Sequence, residues 1–98
     1  MTITKTIENK TVTLAVEGRL DTTTAPQLEA VISEVVPTAD ELILDFAKLE
    51  YVSSAGLRVI LKAQKAMNAK GSMKLTHVNE DIMEVFDITG FLDILTIE

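Results

Sequence analysis

Two neighbouring stretches decide the fold: Leu42-Ile43-Leu44-Asp45-Phe46 and, after a short interval, Tyr51-Val52-Ser53-Ser54-Ala55-Gly56-Leu57-Arg58. The first is a short apolar run of the length and composition of a strand. After the second, apolar residues recur at helical spacing and predict a helix from about Ser54 to Ala69, with core residues at Leu57, Ile60, Leu61 and Met67. Two adjacent hydroxyls, those of Ser53 and Ser54, therefore stand where a helix should begin.

A serine at the start of a helix has two physical interpretations. The first turn leaves backbone N–H groups unpaired, and serine is among the residues best able to cap them. The same N–H groups and the positive end of the helix dipole also favour a phosphate, carried by a ligand or attached to a serine. Capping is the commoner explanation on geometry alone, and both remain open.

The sequence before this junction predicts a hairpin and a helix. Ile3–Ile7 and Val12–Glu17 have strand character and are separated by the turn-forming pair Asn9-Lys10. Thr24-Ala25-Pro26-Gln27 has the spacing of a capping box with proline in the tolerated first turn. The helix that follows should carry an apolar stripe and end at Pro37; the stripe is Leu28, Val31, Ile32 and Val35.

The sequence after the junction predicts two further strands with a helix between them. Gly71 should end the long helix, and Met73–Val78 should be a strand. Asn79 should open a short helix that ends at Gly90 and points three apolar side chains inward: Ile82, Val85 and Phe86. Asp93–Ile97 should be the last strand.

This order of elements predicts one α/β domain over residues 1–98. Strands separated by helices imply crossover connections, so we expect a mostly parallel five-stranded sheet with an antiparallel edge strand. Polar side chains on one sheet face suggest that about three helices lie mainly on the other face; these side chains are Thr11, Thr13, Glu17 and Asp45. The open face is then either solvated or a contact surface.

Composition argues against several classes of function. The net charge is −6, with no dense cluster of Lys and Arg, so direct binding of nucleic acid is not expected. The chain has no cysteine and a single histidine, His77, which predicts no metal site. No apolar run approaches the ~20 residues that span a bilayer, so we expect no membrane insertion and a cytoplasmic location.

The segment from Asp45 to Arg58 resembles the signature of the STAS domain, as found in bacterial anti-sigma factor antagonists. In that family an apolar strand ending in Asp-Phe or Asp-Leu leads through a short loop into a serine-rich turn, closed by Gly-Leu, that opens a helix. Two further motifs match: Gly18-Arg19-Leu20-Asp21 before the first helix and Ile88-Thr89-Gly90-Phe91 near the end. The resemblance therefore covers nearly the whole chain and implies a STAS-like fold.

The resemblance also implies a function. The unphosphorylated protein would bind an anti-sigma factor that is also a serine kinase, releasing the sigma factor. Phosphorylation on Ser54, two positions before the glycine of the turn, would inactivate the protein, and a serine phosphatase would restore it. Ser53 stands where the family often has Asp, Ala55 replaces a second Ser or Thr, and Asp21 matches an acidic loop residue that contacts the kinase.

The candidate partner-binding residues are thus Asp21, Ser53, Ser54, Ala55, Gly56 and Arg58. Arg58 begins a basic stripe with Lys62 and Lys65, which is either a solvated helix face or a surface for an acidic partner. We expect a binding module, not an enzyme, with no cofactor. Two alternatives stay open: an unphosphorylated STAS subunit of a membrane-associated lipid ABC transporter, and a small enzyme or nucleotide binder, for which no catalytic constellation is present.

Overall fold

The computed structural model describes residues Met1–Glu98 and contains five strands and three helices. The strands are β1 (Thr2–Glu8), β2 (Thr11–Leu20), β3 (Glu41–Asp45), β4 (Leu49–Val52) and β5 (Ser72–Thr76). The helices are α1 (Ala25–Val35), α2 (Ser54–Asn68) and α3 (Glu80–Thr89), and short 3₁₀ turns occupy Val36–Thr38 and Phe91–Asp93. The predicted hairpin, the three helices and the strands at β3 and β5 are confirmed.

The sheet is mixed and mostly parallel, as predicted. Four strands lie in the order β1, β2, β3, β5, and β4 pairs separately with β2. Only β1 and β2 are antiparallel; they are joined through Asn9, whose φ of 57° suits a tight turn. Pairing of β2 with β3 ends at Ala15, and from Gly18 to Leu20 the strand pairs with β4, with a shift of register after Gly18. The end of β2 is thereby placed beside the strand that leads into α2.

One face of the sheet carries the core. Along β2, buried side chains alternate with half-exposed ones, and the same alternation appears in β3. The buried positions of these strands and of β5 belong to one cluster with the apolar sides of the helices: Val12, Leu14, Val16, Leu20, Leu42, Leu44, Met73 and Leu75. The opposite face carries Thr11, Thr13, Glu17 and Asp45, all half-exposed. The predicted separation of a covered and an open face is confirmed.

The prediction of a last strand at Asp93–Ile97 is wrong. The N–H groups of Ile94 and Leu95 both donate to the carbonyl of Phe91, so this part of the chain turns instead of extending. Only an isolated bridge between Leu75 and Ile97 remains next to β5. The fifth strand is β4, in the segment that the sequence predicts as loop before α2.

The predicted capping box at Thr24 is also wrong. The Thr24 hydroxyl donates to the carbonyl of Arg19 at 2.7 Å and accepts the N–H of Asp21 at 2.9 Å, so it does not cap α1. Gln27 does not turn back to the cap either, because its amide reaches the carbonyl of Met1 at 3.4 Å. Thr24 closes the loop before the helix because the end of β2 offers it a carbonyl.

Three smaller differences concern the core and the strand ends. Leu61 is only half-buried, whereas Val59 is buried on the side of α2 that faces α1, so the buried surface of α2 is broader than a single stripe. Val85 is likewise half-buried. β5 ends at Thr76, because the next residue, His77, has a left-handed φ of 57°, which turns the chain out of the strand.

Candidate functional site

The junction between β4 and α2 separates the roles of the two serines. Ser53 has an extended backbone, and its Oγ accepts the N–H of Gly56 at 3.3 Å. This is the geometry of an N-cap that satisfies one of the free amides in the first turn. The capping interpretation therefore holds for Ser53, which is half-buried.

Ser54 is the first residue of α2 and is exposed. Its hydroxyl makes no hydrogen bond within the chain, in contrast to that of Ser53. It lies on the first turn, where a helix leaves amides without intrahelical partners and where the dipole favours negative charge. Ser54 is thus the free hydroxyl of the pair, in surroundings suited to a phosphate.

The loop after β2 lies directly against the serine turn, the segment Ser53-Ser54-Ala55. The N–H of Ser53 donates to the carbonyl of Leu20 at 2.8 Å. Gly56, which is buried, lies so close to Leu20 that a Cβ at residue 56 would be 2.7 Å from the Leu20 Cγ. Asp21 and Ser54 are the residues that follow Leu20 and Ser53, so the fold brings them to the same edge of the molecule.

Asp21 is held in a fixed conformation by its own loop. One carboxylate oxygen, Oδ1, accepts the N–H of Thr23 at 3.0 Å and the N–H of Thr24 at 3.1 Å, and the Thr24 hydroxyl oxygen lies 3.2 Å from it. These bonds, chiefly that from the Thr24 N–H, lower the pKa of Asp21 below its usual value, and the charge of Arg19 lowers it further. The site therefore presents a fixed negative charge beside the serine turn.

Ala55 and Arg58 line a hollow between the starts of α1 and α2. The hollow measures about 320 Å³, and Thr22 and Pro26 form its other wall. Arg58 is exposed, one helical turn after Ser54. Five predicted partner-binding residues, Ser53 to Gly56 and Arg58, therefore lie on the first turns of α2, and Asp21 lies in the adjoining loop.

The outer face of α2 is basic. Its charged residues are Arg58, Lys62 and Lys65, all exposed, and it contains no Asp or Glu. Lys62 forms a salt bridge of 3.0 Å with Glu29 of α1. In a chain of net charge −6, this face is the part of the surface suited to an acidic partner.

The contact between Arg19 and Tyr51 is a feature of the site that the sequence does not predict. The guanidinium carbon of Arg19 lies 4.3 Å from the centre of the Tyr51 ring, and the two residues are partners in the β2–β4 register. Tyr51 is 41% exposed, which makes it part of the surface two residues before Ser53. Because this pair depends on the pairing of β4, only recognition of that strand could have revealed it.

The structure offers no group of three or more His, Cys, Asp or Glu side chains that could hold a metal ion. The single histidine, His77, pairs instead with Asp45, its Nδ1 lying 3.0 Å from the carboxylate Oδ1. None of the helices combines the length and apolar character that crossing a bilayer requires.

Comparison with known families identifies the domain. The model of the STAS domain matches residues 2–98 of this chain. The chain belongs to the STAS domain family.

Curated relatives share this sequence over most of its length. The anti-sigma-B factor antagonist of Bacillus subtilis is 30% identical over 83 residues, which cover 84% of this chain and 76% of the relative. BtrV of Bordetella bronchiseptica, described as a candidate anti-sigma factor antagonist, is 36% identical over 83 residues, covering 83% of this chain and 72% of the relative.

Solved structures agree on the fold. The anti-sigma factor antagonist SpoIIAA in its unphosphorylated form superposes with a TM-score of 0.85 at 21% identity, covering 99% of this chain and 88% of that chain. An anti-sigma factor antagonist of Thermotoga maritima, described as a candidate, gives a TM-score of 0.90 at 20% identity, covering 97% of this chain and 84% of that one. At this level of identity the likeness concerns the fold alone.

Proposed function

We propose that this protein is an anti-sigma factor antagonist controlled by phosphorylation of Ser54. The unphosphorylated form binds an anti-sigma factor that is also a serine kinase, and the bound sigma factor is released. The relatives named as anti-sigma-B factor antagonists, at 30% identity or above, support the class of partner. The observation that carries the switch is the exposed, unbonded hydroxyl of Ser54 on the first turn of α2.

The different environments of the two serines support Ser54 as the acceptor. The Ser53 hydroxyl is bound to the Gly56 amide, so a kinase would have to break the cap to reach it. Losing an N-cap costs roughly 0.5–2 kcal/mol of stability. Modification of Ser54 carries no such cost, and the new phosphate lies at the positive end of the α2 dipole.

The proposed partner surface consists of the serine turn, the start of α2 and the adjoining loop. Ser53, Ser54 and Ala55 form the turn, and Arg58 extends the surface along α2. Gly56, which is buried, contributes by holding the turn against β2. Asp21 contributes a fixed carboxylate, ordered by the amides of Thr23 and Thr24.

In this scheme the protein is a binding module and catalyses no reaction. The kinase partner binds ATP, and the γ-phosphoryl group passes to the Ser54 oxygen as its bond to the β,γ-bridging oxygen breaks. ADP is the leaving group, and the hydroxyl proton leaves to the kinase or to solvent. A serine phosphatase restores the hydroxyl by hydrolysis. The added group carries about −1.5 to −2 charges at neutral pH, and it would need desolvation in an interface that also contains Asp21.

Kinase assays on single-serine variants test this proposal. Incubation with an anti-sigma factor kinase from the same genome and ATP should label the wild type and Ser53→Ala but not Ser54→Ala. Phosphopeptide mapping should place the label on Ser54. Ser54→Ala should keep binding the anti-sigma factor in the presence of ATP, whereas Ser54→Asp should bind weakly.

Label on Ser53, or no label from a kinase that is active on another substrate, would contradict the assignment. Absence of both labelling and binding would instead favour a structural role, such as that of a STAS subunit in a lipid ABC transporter. Capture of a transporter subunit, with no kinase, would support that second function.

A further inference from the structure

A groove runs between α1 and α2, from the candidate site toward the far ends of both helices. Its near part is the hollow that contains Ala55 and Arg58. Its far part is a second hollow of about 220 Å³, lined mostly by the apolar residues Ile32, Val36, Pro37, Val59, Ala63 and Ala66. The two hollows share Glu29, Val59 and Lys62, and the salt bridge between Glu29 and Lys62 crosses the groove where they meet.

The size and lining of the far hollow suit a protein side chain. Small-molecule sites usually measure ~300–1,000 Å³ and hold several convergent polar groups, whereas this hollow is smaller and mainly apolar. Protein interfaces derive much of their binding energy from a few apolar or aromatic side chains that fill such pockets near the centre of the contact. The hollow therefore fits an anchor of this type better than a metabolite.

Charge indicates the kind of partner. α2 contains three basic residues and no acidic one, whereas α3 begins with Glu80 and Asp81 and also contains Glu84 and Asp87. The groove itself contains Glu29 of α1, paired with Lys62, and the unpaired Arg58, so its excess charge is positive. A two-fold contact that set α2 against α2 would place like charges together, which is unfavourable. A partner with carboxylates around an apolar anchor would instead meet opposite charge.

We propose that the α1–α2 groove is the anchoring part of the interface with the anti-sigma factor. An apolar side chain of the partner enters the far hollow, and carboxylates beside it meet Arg58 and compete with Glu29 for Lys62. This inference rests on the proposed function, because the groove is continuous with the serine turn through Ala55, Arg58 and Val59. It separates two roles: the groove supplies affinity, and Ser54, which precedes the groove residue Ala55, switches that affinity off.

Filling the groove tests the proposal. Ala66 lines the far hollow and is half-buried, so Ala66→Phe should occupy the space of the anchor. Ala30 is exposed on α1 outside the groove, and Ala30→Phe is the matched control. Titration calorimetry with the unmodified proteins and the anti-sigma factor kinase should show at least a tenfold weaker Kd for Ala66→Phe and an unchanged Kd for Ala30→Phe.

A second variant distinguishes loss of binding from a folding defect in Ala66→Phe. Ser33 is exposed on the rim of the same hollow, and Ser33→Trp should cover the opening without entering the core. Wild-type affinity in both Ala66→Phe and Ser33→Trp, with wild-type melting temperatures, would overturn the groove proposal alone. Failure of the wild type to bind any kinase-type anti-sigma factor would overturn the proposed function as well. A wild-type dimer that Ala66→Phe abolishes would assign the groove to a second copy and overturn the proposal.

Discussion

Gly56 packs against Leu20 with no room for a side chain. A Cβ at residue 56 would lie 2.7 Å from the Leu20 Cγ and 3.1 Å from the Leu20 carbonyl oxygen. That carbonyl accepts the N–H of Ser53, and the Leu20 side chain is fully buried, so neither can move freely. The spacing between β2 and α2, and with it the position of Ser54 relative to Asp21, depends on a glycine at this point.

Gly56→Ala should therefore destabilise the fold. Overpacking a close-packed site costs roughly 1–3 kcal/mol, which exceeds the ~0.5–1 kcal/mol that alanine gains over glycine inside a helix. We expect a net loss of about 1 kcal/mol or more in the free energy of unfolding, measured by urea denaturation. Ser54→Ala, at an exposed position in the same turn, should change it by less than about 0.5 kcal/mol. A Gly56→Ala protein as stable as the wild type would mean that Leu20 repacks without cost.

Asp21 should contribute stability that disappears in acid. Hydrogen bonds, first that from the Thr24 N–H, lower its folded-state pKa below the ordinary 3.8. The contribution is therefore fully present above the unfolded-state pKa and is lost as the pH falls through the folded-state pKa. Asp21→Asn keeps an oxygen acceptor but removes the charge. Its melting temperature should lie below that of the wild type at neutral pH, and the gap should close below about pH 4. A gap that persists unchanged into strong acid would show that the charge is irrelevant.

Most elements of the fold could be predicted because their signals are local. Apolar residues alternate with polar ones in β2 and recur at helical spacing in α2, because each element is buried on one side. β4 gave no such signal, because its four residues are buried only at the two ends and its strand character comes from pairing with the last residues of β2. The prediction of a Thr24 cap is wrong for the same reason, since the group that accepts its hydroxyl, the Arg19 carbonyl, lies on the preceding strand.

The candidate site, too, could be predicted only in part from the sequence. Its residues follow from the motif around Gly56, but the different states of Ser53 and Ser54 do not, because either hydroxyl could cap a helix. The structure distinguishes them: Ser53, whose N–H donates to the Leu20 carbonyl, has an extended backbone, and its hydroxyl accepts the Gly56 amide. The α1–α2 groove has no sequence signal, because it depends on how closely two helices pack.

Arg58 should stabilise a phosphate on Ser54. Residues four apart on a helix are neighbours, and the guanidinium is exposed and free to turn toward the first turn of α2. A charge-assisted pair favours the dianionic phosphate and should be worth ~1 kcal/mol or less at an exposed site. Arg58→Ala should then raise the second phosphate pKa, measured by phosphorus NMR titration of the phosphorylated proteins. Lys65→Ala, two turns further from Ser54, is the matched control. Identical titrations for the wild type and Arg58→Ala would show that the pair does not form.

Phosphorylation should switch binding off without loosening the fold. The modification adds about −1.5 to −2 charges to a chain of net charge −6. At the first turn of α2 this charge meets the positive dipole end and free amides, an interaction favourable by about 0.3–1 kcal/mol. The Ser53 cap stays in place, because its hydroxyl already bonds the Gly56 amide and takes no part in the reaction.

The phosphorylated protein should therefore melt at the same temperature as the unmodified one, or slightly higher. Its affinity for the anti-sigma factor should nevertheless fall at least tenfold, or ~1.4 kcal/mol, because a bulky charged group must be desolvated beside the fixed carboxylate of Asp21. Differential scanning calorimetry gives the melting temperatures, and titration calorimetry gives the two affinities. Ser54→Ala treated with kinase and ATP controls for effects of the incubation. A drop of many degrees on phosphorylation would mean that the switch acts by loosening α2, and the interface mechanism would be wrong.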